Sequence, residues 1–188
     1  MENNTQEKIY KENNRLYTKG VKVTKVLIST VYSVIDPVML SITRLGIGKV
    51  ILIADKDPDE NQKKSIDLLK KSLGNVVELK TIKTEVYDIV KVAEEVVKAI
   101  DLLSDKDQIF INVTGSRKTQ SLGLLFAAYA RIKKINQIVY AIEKQNKMVY
   151  LPKLSYNLTN SQKDVLEYIS RNKVKSHAEF ANKIKLSR

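Results

Sequence analysis

Apolar and polar positions change along the chain between two spacings, one typical of strands and one typical of helices. Four short segments rich in β-branched and other apolar residues predict strands, at 23–30, 49–54, 76–82 and 108–113, and the continuous apolar run 49–54 is typical of a strand buried on both faces. Elsewhere, apolar residues recur every three or four positions and predict helices at 34–45, 57–73, 87–103 and 119–132. Two more apolar runs flank a polar turn and predict a β-hairpin at 137–142 and 147–150.

The order of these elements predicts the fold class. Strands that alternate with helices form parallel, right-handed βαβ units. We therefore expect an α/β fold, a Rossmann-like, mostly parallel sheet with flanking helices and a C-terminal β-hairpin. With the strand order 3-2-1-4-5, the winding reverses between the first and fourth strands. Ligands of such sheets bind at that reversal, beyond the carboxyl ends of the strands.

The apolar spacing becomes purely helical after residue 152. Thr159 fits a helix N-cap, and Gln162 three residues later completes a capping box. A second pattern of this kind begins at Ser176, with Glu179 in the capping-box position. Two short helices in this arrangement predict the start of a (winged) helix-turn-helix, whose recognition helix would begin near the end of the sequence.

These changes divide the sequence into three parts. Residues 1–20 are polar and mixed in charge, and we expect a flexible N-terminal extension. Residues 21–153 form the predicted Rossmann-like ligand-binding domain. Residues 154–188 form the predicted start of a helix-turn-helix domain, truncated before its recognition helix.

Composition adds a preference for anionic partners. The 188 residues include 33 Lys and Arg against 21 Asp and Glu, a net charge of +12. Such a balance favours nucleic acid, nucleotides or acidic membrane surfaces, although a Lys-rich composition can also serve solubility and ion pairing. The sequence has no cysteine, which excludes disulfides and thiolate chemistry and fits a cytoplasmic location. The apolar runs are too short to cross a bilayer, and the polar N-terminus lacks a signal-peptide core, so we expect no membrane partner.

Two loops meet at the predicted reversal of the sheet, 29–36 and 114–119. In the second loop, Gly115 permits an unusual backbone angle or a close approach of a ligand. Arg117 and Lys118 bring positive charge to the start of a helix, whose free N–H groups also favour an anion. We therefore predict a small phosphate-rich ligand, the alternative being a capped turn with solvated basic residues. The predicted binding residues are Ser29, Thr30, Val31, Tyr32, Thr114, Gly115, Ser116, Arg117, Lys118, Thr119 and Asp55.

Other classes of site have little support in the sequence. No Gly-x-Gly-x-x-Gly dinucleotide motif and no Gly-x-x-x-x-Gly-Lys-Ser/Thr phosphate loop is present. No cluster of His, Asp and Glu has metal-ligand spacing, so we expect neither a metal nor a cofactor. The single histidine, His177, fits an ordinary helix residue. A helix start explains the acidic cluster at 55–60, with a ribose or metal contact from Asp55 as the alternative.

The segment Thr114–Lys118, followed by an apolar helix with small residues, resembles the Thr-Gly-Gly-Thr-Lys motif of the CARF family, the CRISPR-associated Rossmann-fold sensors. Ser116 and Arg117 stand where that motif has glycine and threonine. The first strand, which ends in Ser29 and Thr30, resembles the other ligand loop of the family. The C-terminal part resembles the winged helix-turn-helix of archaeal CRISPR-associated transcriptional regulators.

The resemblance implies a homodimer in which the loop ends of two sheets face each other and form one two-fold pocket. It also implies a symmetric ligand, a cyclic oligoadenylate, for which cyclic tetra-adenylate is the expected ring. Two copies each of Arg117 and Lys118 would balance its four phosphates.

Three functions are compatible with this site. We expect the first, a ligand-responsive transcriptional regulator that binds DNA through its C-terminal domain. The second is a metal-independent ring nuclease, which opens the cyclic messenger by attack of a ribose 2′-hydroxyl and switches off type III CRISPR signalling. In that reaction Lys118 would stabilise charge, and Ser29 or Thr30 would position the ribose or phosphate. The third is an unrelated α/β protein that binds a phosphorylated metabolite.

Overall fold

Six strands form one sheet in the structure, a computed structural model that describes residues 23–142, 145–154 and 158–171. In chain order the strands are β1 (Lys25–Thr30), β2 (Lys49–Asp55), β3 (Glu78–Thr84), β4 (Gln108–Asn112), β5 (Ile135–Ile142) and β6 (Lys147–Leu151). Their order in the sheet is β3-β2-β1-β4-β5-β6. The pairs from β3 to β5 are parallel, and β6 pairs with β5 in the antiparallel direction. The predicted Rossmann-like sheet, its strand order and its C-terminal hairpin are confirmed.

Helices connect the parallel strands and cover both faces of the sheet. The described helices are α1 (Asp36–Leu45), α2 (Glu60–Leu73), α3 (Ile89–Asp101), α4 (Lys118–Ala130) and α5 (Asn160–Arg171). Helices α1 and α2 pack on one face of the sheet, and α3 and α4 pack on the other. Because both faces are covered, the central strands are apolar on both sides, as a parallel sheet requires.

Strand β1 shows how the two apolar layers divide. Val26 and Ile28 pack with α3 and α4, whereas Leu27 packs with α1 and α2. All three side chains are completely buried. Successive side chains of a strand point to opposite faces, so the continuous apolar run contributes to both cores.

Several element boundaries differ from the sequence prediction by one to three residues, and the cause is visible at β3 and α3. β3 lies at 78–84 instead of 76–82, because its bounds follow from its pairing with β2, from Lys49 opposite Glu78 to Asp55 opposite Thr84. α3 begins at Ile89 instead of two residues earlier. The Asp88 side chain accepts hydrogen bonds from the N–H groups of the first turn and so fixes the start of the helix.

The chain divides into two compact units, Met1–Lys153 and Leu154–Arg188. In the second unit, α5 begins with the predicted capping box. The Thr159 N–H donates to the Gln162 side chain at 2.9 Å, and the Gln162 N–H donates to the Thr159 hydroxyl at 3.3 Å. The predicted second helix near Ser176, His177 and the predicted N-terminal extension lie outside the described residues.

No helix within the described ranges is long and apolar enough to cross a membrane. In the same part of the chain, no group of three or more His, Asp or Glu side chains is arranged to hold a metal ion.

Close packing between α3 and α4 generates a stability prediction at Gly123. A Cβ atom built at this residue would lie 2.7 Å from the Val92 side chain and 2.9 Å from the Ile89 carbonyl oxygen. Replacing glycine with alanine inside a helix normally stabilises it by about 1 kcal/mol, but overpacking a core costs about 1–3 kcal/mol. We expect Gly123→Ala to lower the free energy of unfolding by about 1–2 kcal/mol in urea denaturation.

Gly48→Ala is the matched control for this experiment. A Cβ atom at Gly48 would make only an ordinary contact, 3.9 Å from the Thr24 methyl group. Its free energy of unfolding should stay within about 1 kcal/mol of that of the unchanged chain. Equal stability of the two alanine variants would contradict the packing argument.

Candidate ligand site at the carboxyl edge of the sheet

The winding of the sheet reverses between β1 and β4, which are parallel neighbours. Their register places Ser29 opposite Asn112, so both strands end at the same level. The loop after β1 and the loop from Thr114 to Lys118 therefore leave the sheet side by side. This is the edge at which open α/β sheets bind ligands, and the structure brings the two predicted loops together there.

The two loops touch directly at Thr30 and Gly115. The Thr30 hydroxyl donates a hydrogen bond to the Gly115 carbonyl oxygen. A Cβ atom at Gly115 would lie 3.2 Å from the Thr30 carbonyl oxygen, tighter than most side chains allow. Gly115 therefore serves a close approach of backbone to backbone, where the sequence had suggested the approach of a ligand.

The unusual backbone angle predicted at Gly115 is found one residue later. Ser116 has a φ of 113°, a value that residues with a side chain rarely adopt and that costs about 1–3 kcal/mol. The Ser116 hydroxyl donates to the Gln120 side chain, which helps to hold the turn. The sequence prediction was wrong about the residue, because the angle depends on how the loop enters α4.

Most of the hydroxyl groups predicted to meet a ligand bond to the protein itself. Ser29 and Thr30 are completely buried, and the Ser29 hydroxyl donates to the Thr30 carbonyl oxygen at 3.1 Å. The Thr114 hydroxyl donates to Asn112 at 2.6 Å and accepts from the Ala141 N–H. These hydroxyls join loops to strands, and a ligand outside the loops does not reach Ser29 or Thr30 in this conformation.

Two other predicted residues also face the interior. The Thr119 hydroxyl donates to the Val86 carbonyl oxygen at 2.8 Å and so ties α4 to the loop after β3. Val31 is completely buried in the core beside α1 and α2. Both residues shape the edge from within.

Three buried amide side chains hold the loops in place. Gln62 donates to the Val31 carbonyl oxygen at 2.8 Å and accepts from the Asp55 N–H at 3.1 Å. Gln120 donates to the Ile53 carbonyl oxygen at 2.7 Å. A buried polar group left without a partner costs about 1–3 kcal/mol, so each amide fixes the loop that satisfies it.

The third amide, Asn112, anchors the end of β4. Its side-chain N–H group donates to the Pro37 carbonyl oxygen at 2.9 Å and to the Ser41 hydroxyl at 2.8 Å. Its side-chain oxygen accepts from the Thr114 N–H and hydroxyl. Asn112 thus connects the start of α1 with the start of the basic loop.

Positive charge collects at the amino end of α4. Lys118 is exposed and is the first residue of the helix, and Arg117 is its N-cap residue. Among the described side chains none caps this helix by a hydrogen bond, whereas Asp59 caps α2 and Asp88 caps α3. The N–H groups of the first turn and the two cations therefore face the same edge, an arrangement suited to an anion.

Arg117 lies over two tyrosine rings. Its guanidinium carbon is 5.0 Å from the centre of the Tyr32 ring and 4.8 Å from the centre of the Tyr87 ring. Each contact is a cation–π interaction, worth about 0.5–1 kcal/mol at an exposed site. The Arg117 side chain also lies 3.9 Å from the Asp59 carboxylate, so three contacts orient its charge.

Asp59 connects Tyr32 to this arrangement. The Tyr32 hydroxyl donates to the Asp59 carboxylate at 2.7 Å, which raises the pKa of Tyr32. The pKa of Asp59 is lowered, first by the hydrogen bond from the Gln62 N–H and then by that from Tyr32. A lowered pKa means that folding favours the ionised form. The associated stabilisation is present above the ordinary aspartate pKa and is lost as the pH falls through the lowered value.

Two depressions lie near this edge and differ in character. A cleft of about 670 Å³ is lined by Asp55, Lys56, Glu85, Val86, Tyr87, Asp88 and Ile89. Asp55, predicted as a ribose contact, thus lies on the cleft that Tyr87 borders. The other depression, of about 590 Å³, lies between α1 and the end of β5 and is mainly apolar. Arg117 and Lys118 line neither depression, so the groups suited to a phosphate lie on the surface outside both of them.

The sequence prediction missed Tyr87, Asp59 and the three buried amides. Both residues lie in loops at the starts of helices, since Asp59 is the N-cap residue of α2 and Tyr87 lies two residues before α3. Every loop at the carboxyl ends of a parallel sheet reaches the same edge. Extending the search from two loops to all four would have found both residues, whereas no local signal marks the amides.

Comparisons with known proteins agree with this architecture. The profile of the protein family described as "HFX_2341_N:-like, N-terminal" matches residues 25–147. No curated protein matches the chain. Similar solved structures include Can2 from Sulfobacillus thermosulfidooxidans in complex with cyclic tetra-adenylate, with 16% identity over 68% of this chain and a TM-score of 0.56.

Two further solved structures are similar to this chain. A type III CRISPR defence DNA nuclease activated by cyclic oligoadenylate has 11% identity over 69% of the chain, with a TM-score of 0.54. Enterococcus italicus Csm6, bound to cyclic hexa-2′-fluoro-hexa-dAMP, has 13% identity over 69% of the chain, with a TM-score of 0.52. The aligned part covers 34%, 20% and 41% of the Can2, nuclease and Csm6 chains. At these identities the similarity shows the Rossmann-like fold alone.

The contact between Tyr32 and Asp59 generates a prediction about pKa. We expect Tyr32→Phe to raise the pKa of Asp59 towards its ordinary value but not fully, because the stronger hydrogen bond from the Gln62 N–H remains. The measurement is a pH titration of the carboxyl carbon by NMR. Tyr87→Phe, which alters the other ring beneath Arg117, is the control and should leave the pKa of Asp59 unchanged. An unaltered Asp59 pKa in Tyr32→Phe would contradict the contact.

Proposed function

This chain belongs to that HFX_2341-like family, and we propose that it is a CRISPR-associated sensor of a cyclic oligoadenylate, with cyclic tetra-adenylate as the expected ring. The observation that carries the proposal is the cationic edge of the sheet. Arg117 and Lys118 lie where the winding reverses, at the amino end of α4. The ligands named for Can2, the DNA nuclease and Csm6, which share the fold, support the same class of ligand.

Charge balance supports a dimer as the binding form. One chain supplies two cations at this edge, Arg117 and Lys118, whereas cyclic tetra-adenylate carries four phosphates. Two chains related by a two-fold axis would supply four cations to a ring of matching symmetry. The homodimer is therefore part of the proposal.

The side chains divide into two roles in this proposal. Arg117, Lys118 and Tyr32 are accessible and would contact the ligand. Ser29 and Thr30 hold the loops through buried hydrogen bonds, and they would act on the ligand through the loop backbone.

The response to the ligand that we favour is transcriptional regulation. The capped helix α5 agrees with the first helix of a helix-turn-helix. Its side chains Val165, Leu166 and Ile169 form an apolar stripe of the kind that packs against further helices. The net charge of +12 suits a protein that binds DNA.

A ring nuclease is the second candidate, and the exposure of Lys118 favours it. A lysine at the amino end of a helix can stabilise the charge that develops when a ribose 2′-hydroxyl attacks the neighbouring phosphate. The 2′-hydroxyl gives its proton to water and its oxygen forms the new bond to phosphorus, while the bond from phosphorus to the 5′-oxygen breaks and that oxygen takes a proton from water. The protein would contribute mainly the in-line alignment of the two groups.

In the first experiment, radiolabelled cyclic tetra-adenylate is incubated with the full chain. The protein-bound, intact cyclic and linear forms of the nucleotide are then separated and measured over time. For a sensor we expect an intact complex. We expect Lys118→Ala to weaken binding by about 10-fold or more, the loss of a charged contact. If the chain is a nuclease, linear adenylates appear, and Lys118→Ala should slow cleavage by about 100-fold or more.

Lys98→Ala is the matched control for the lysine variant. Lys98 lies near the carboxyl end of α3 and pairs with Glu95 at 2.7 Å, away from the cationic edge. The Lys98→Ala variant should bind and process cyclic tetra-adenylate as the unchanged chain does. If the unchanged chain neither binds nor cleaves cyclic tetra-adenylate or cyclic oligoadenylates of other sizes, the proposed ligand is contradicted.

DNA binding is tested by fluorescence anisotropy of the full chain with duplex DNA from upstream of its own gene. We expect binding that weakens steeply between 50 and 200 mM salt, because phosphate contacts release counterions. Adding cyclic tetra-adenylate should change the affinity for this duplex. Undetectable or salt-insensitive binding would remove the regulatory role and leave the ring nuclease as the favoured candidate.

A further inference from the structure

Three loops converge on one surface beside the cationic edge. Tyr32 comes from the loop after β1, Tyr87 from the loop after β3 and Arg117 from the loop after β4. The guanidinium lies over both rings. We call Tyr32, Tyr87 and Arg117 the aromatic platform.

The platform presents an aromatic face to solvent. The Tyr87 residue is 66% exposed, and Tyr32 is half-buried beneath Arg117. An exposed large aromatic residue contributes little to the core, and in this position it lies beneath Arg117, one of the two cations that suit phosphate. Aromatic and guanidinium planes are the groups on which proteins stack nucleobases.

The cleft beside Tyr87 has the size and the polar groups to take a nucleobase. Its volume of about 670 Å³ lies within the range of small-molecule sites. Asp55 and Glu85 line it. Glu85 already pairs with Lys56 at 3.4 Å and with Lys91 at 2.7 Å, whereas the Asp55 carboxylate can accept a hydrogen bond from an exocyclic amino group, which adenine has and uracil lacks. A base stacked on Tyr87 would thus meet an acceptor at its edge.

Arg117 is held so that it can serve both the base and the phosphate. Asp59 accepts the Tyr32 hydroxyl at 2.7 Å and lies 3.9 Å from the Arg117 guanidinium. Tyr32 and Asp59 therefore act on Arg117 as positioning residues. With its orientation fixed, Arg117 loses less side-chain entropy when a phosphate binds.

We propose that the aromatic platform stacks a purine base of the nucleotide ligand on Tyr87, and that this contact selects adenine rings over uracil rings. The inference rests on the proposed function, because it assigns the base to the same site that takes the phosphates. Tyr87 then contributes base selectivity, and Lys118 contributes affinity for the backbone of any ring.

The test is calorimetric titration of the full chain with cyclic tetra-adenylate and with cyclic tetra-uridylate. We expect the unchanged chain to prefer the adenylate ring. Loss of one stacked base weakens binding by about 5-fold to 150-fold, so Tyr87→Leu should lose at least about 5-fold in affinity for the adenylate ring and most of its preference over the uridylate ring. Tyr87→Phe should keep both the affinity for the adenylate ring and the preference over the uridylate ring.

Two control variants separate stacking from other effects. Lys118→Ala should weaken the binding of cyclic tetra-adenylate and of cyclic tetra-uridylate by a similar factor, and so preserve the preference for the adenylate. Tyr150→Leu, at an exposed tyrosine of β6, should bind like the unchanged chain. Circular dichroism of each variant checks that the fold is retained, which the exposure of Tyr87 favours.

The outcomes distinguish the two proposals. Tight binding of the adenylate ring that Tyr87→Leu leaves unaltered would overturn the stacking inference and leave the proposed sensor in place. Equal affinity of the unchanged chain for both rings would also overturn the inference. Failure of the unchanged chain to bind either ring would overturn the proposed function, and the stacking inference with it.

Discussion

The approach of two backbones at Thr30 and Gly115 is the constraint on which the candidate site depends. Parallel pairing of β1 with β4 ends both strands at one level, and their loops must then leave the sheet without colliding. A side chain would be tight at Gly115, because its Cβ atom would lie 3.2 Å from the Thr30 carbonyl oxygen. The Thr30 hydroxyl closes the contact by donating to Gly115. This junction aims Arg117 and Lys118 at the edge of the sheet.

The fold could be predicted from the sequence because its signal is periodic and repeated. Continuous apolar runs such as 49–54 identify strands buried on both faces, and the spacing of apolar residues identifies the helices. The predicted strand order is that of the common doubly wound arrangement, because right-handed connections reduce the possible orders without selecting one. The boundaries of β3 and α3 were less predictable, since pairing with β2 and the cap at Asp88 fix them. A window of sequence does not contain those partners.

Of the candidate site, only the charged residues could be predicted from the sequence. Arg117 and Lys118 stand in a short segment whose composition and position indicate an anion. The hydrogen-bond partner of a hydroxyl is set by the three-dimensional fold, and for Thr119 it is the carbonyl oxygen of Val86, 33 positions earlier. Tyr87 reaches Arg117 across a comparable separation. Residue type thus indicated which groups could bind, and only the fold showed which of them the protein itself already engages.

The titratable groups at this edge bear on the choice between sensing and cleavage. A strong general base needs a pKa near the working pH, but the pKa of Asp59, the carboxylate beside Arg117, is lowered and that of Tyr32 is raised. The single histidine, His177, lies outside the described residues. Among the groups that the structure describes beside Arg117, cleavage would rest on alignment and on the charge of Lys118, both of which a sensor also needs for affinity. A nuclease built on these groups would be slow, and we therefore keep regulation as the first proposal and cleavage as the second.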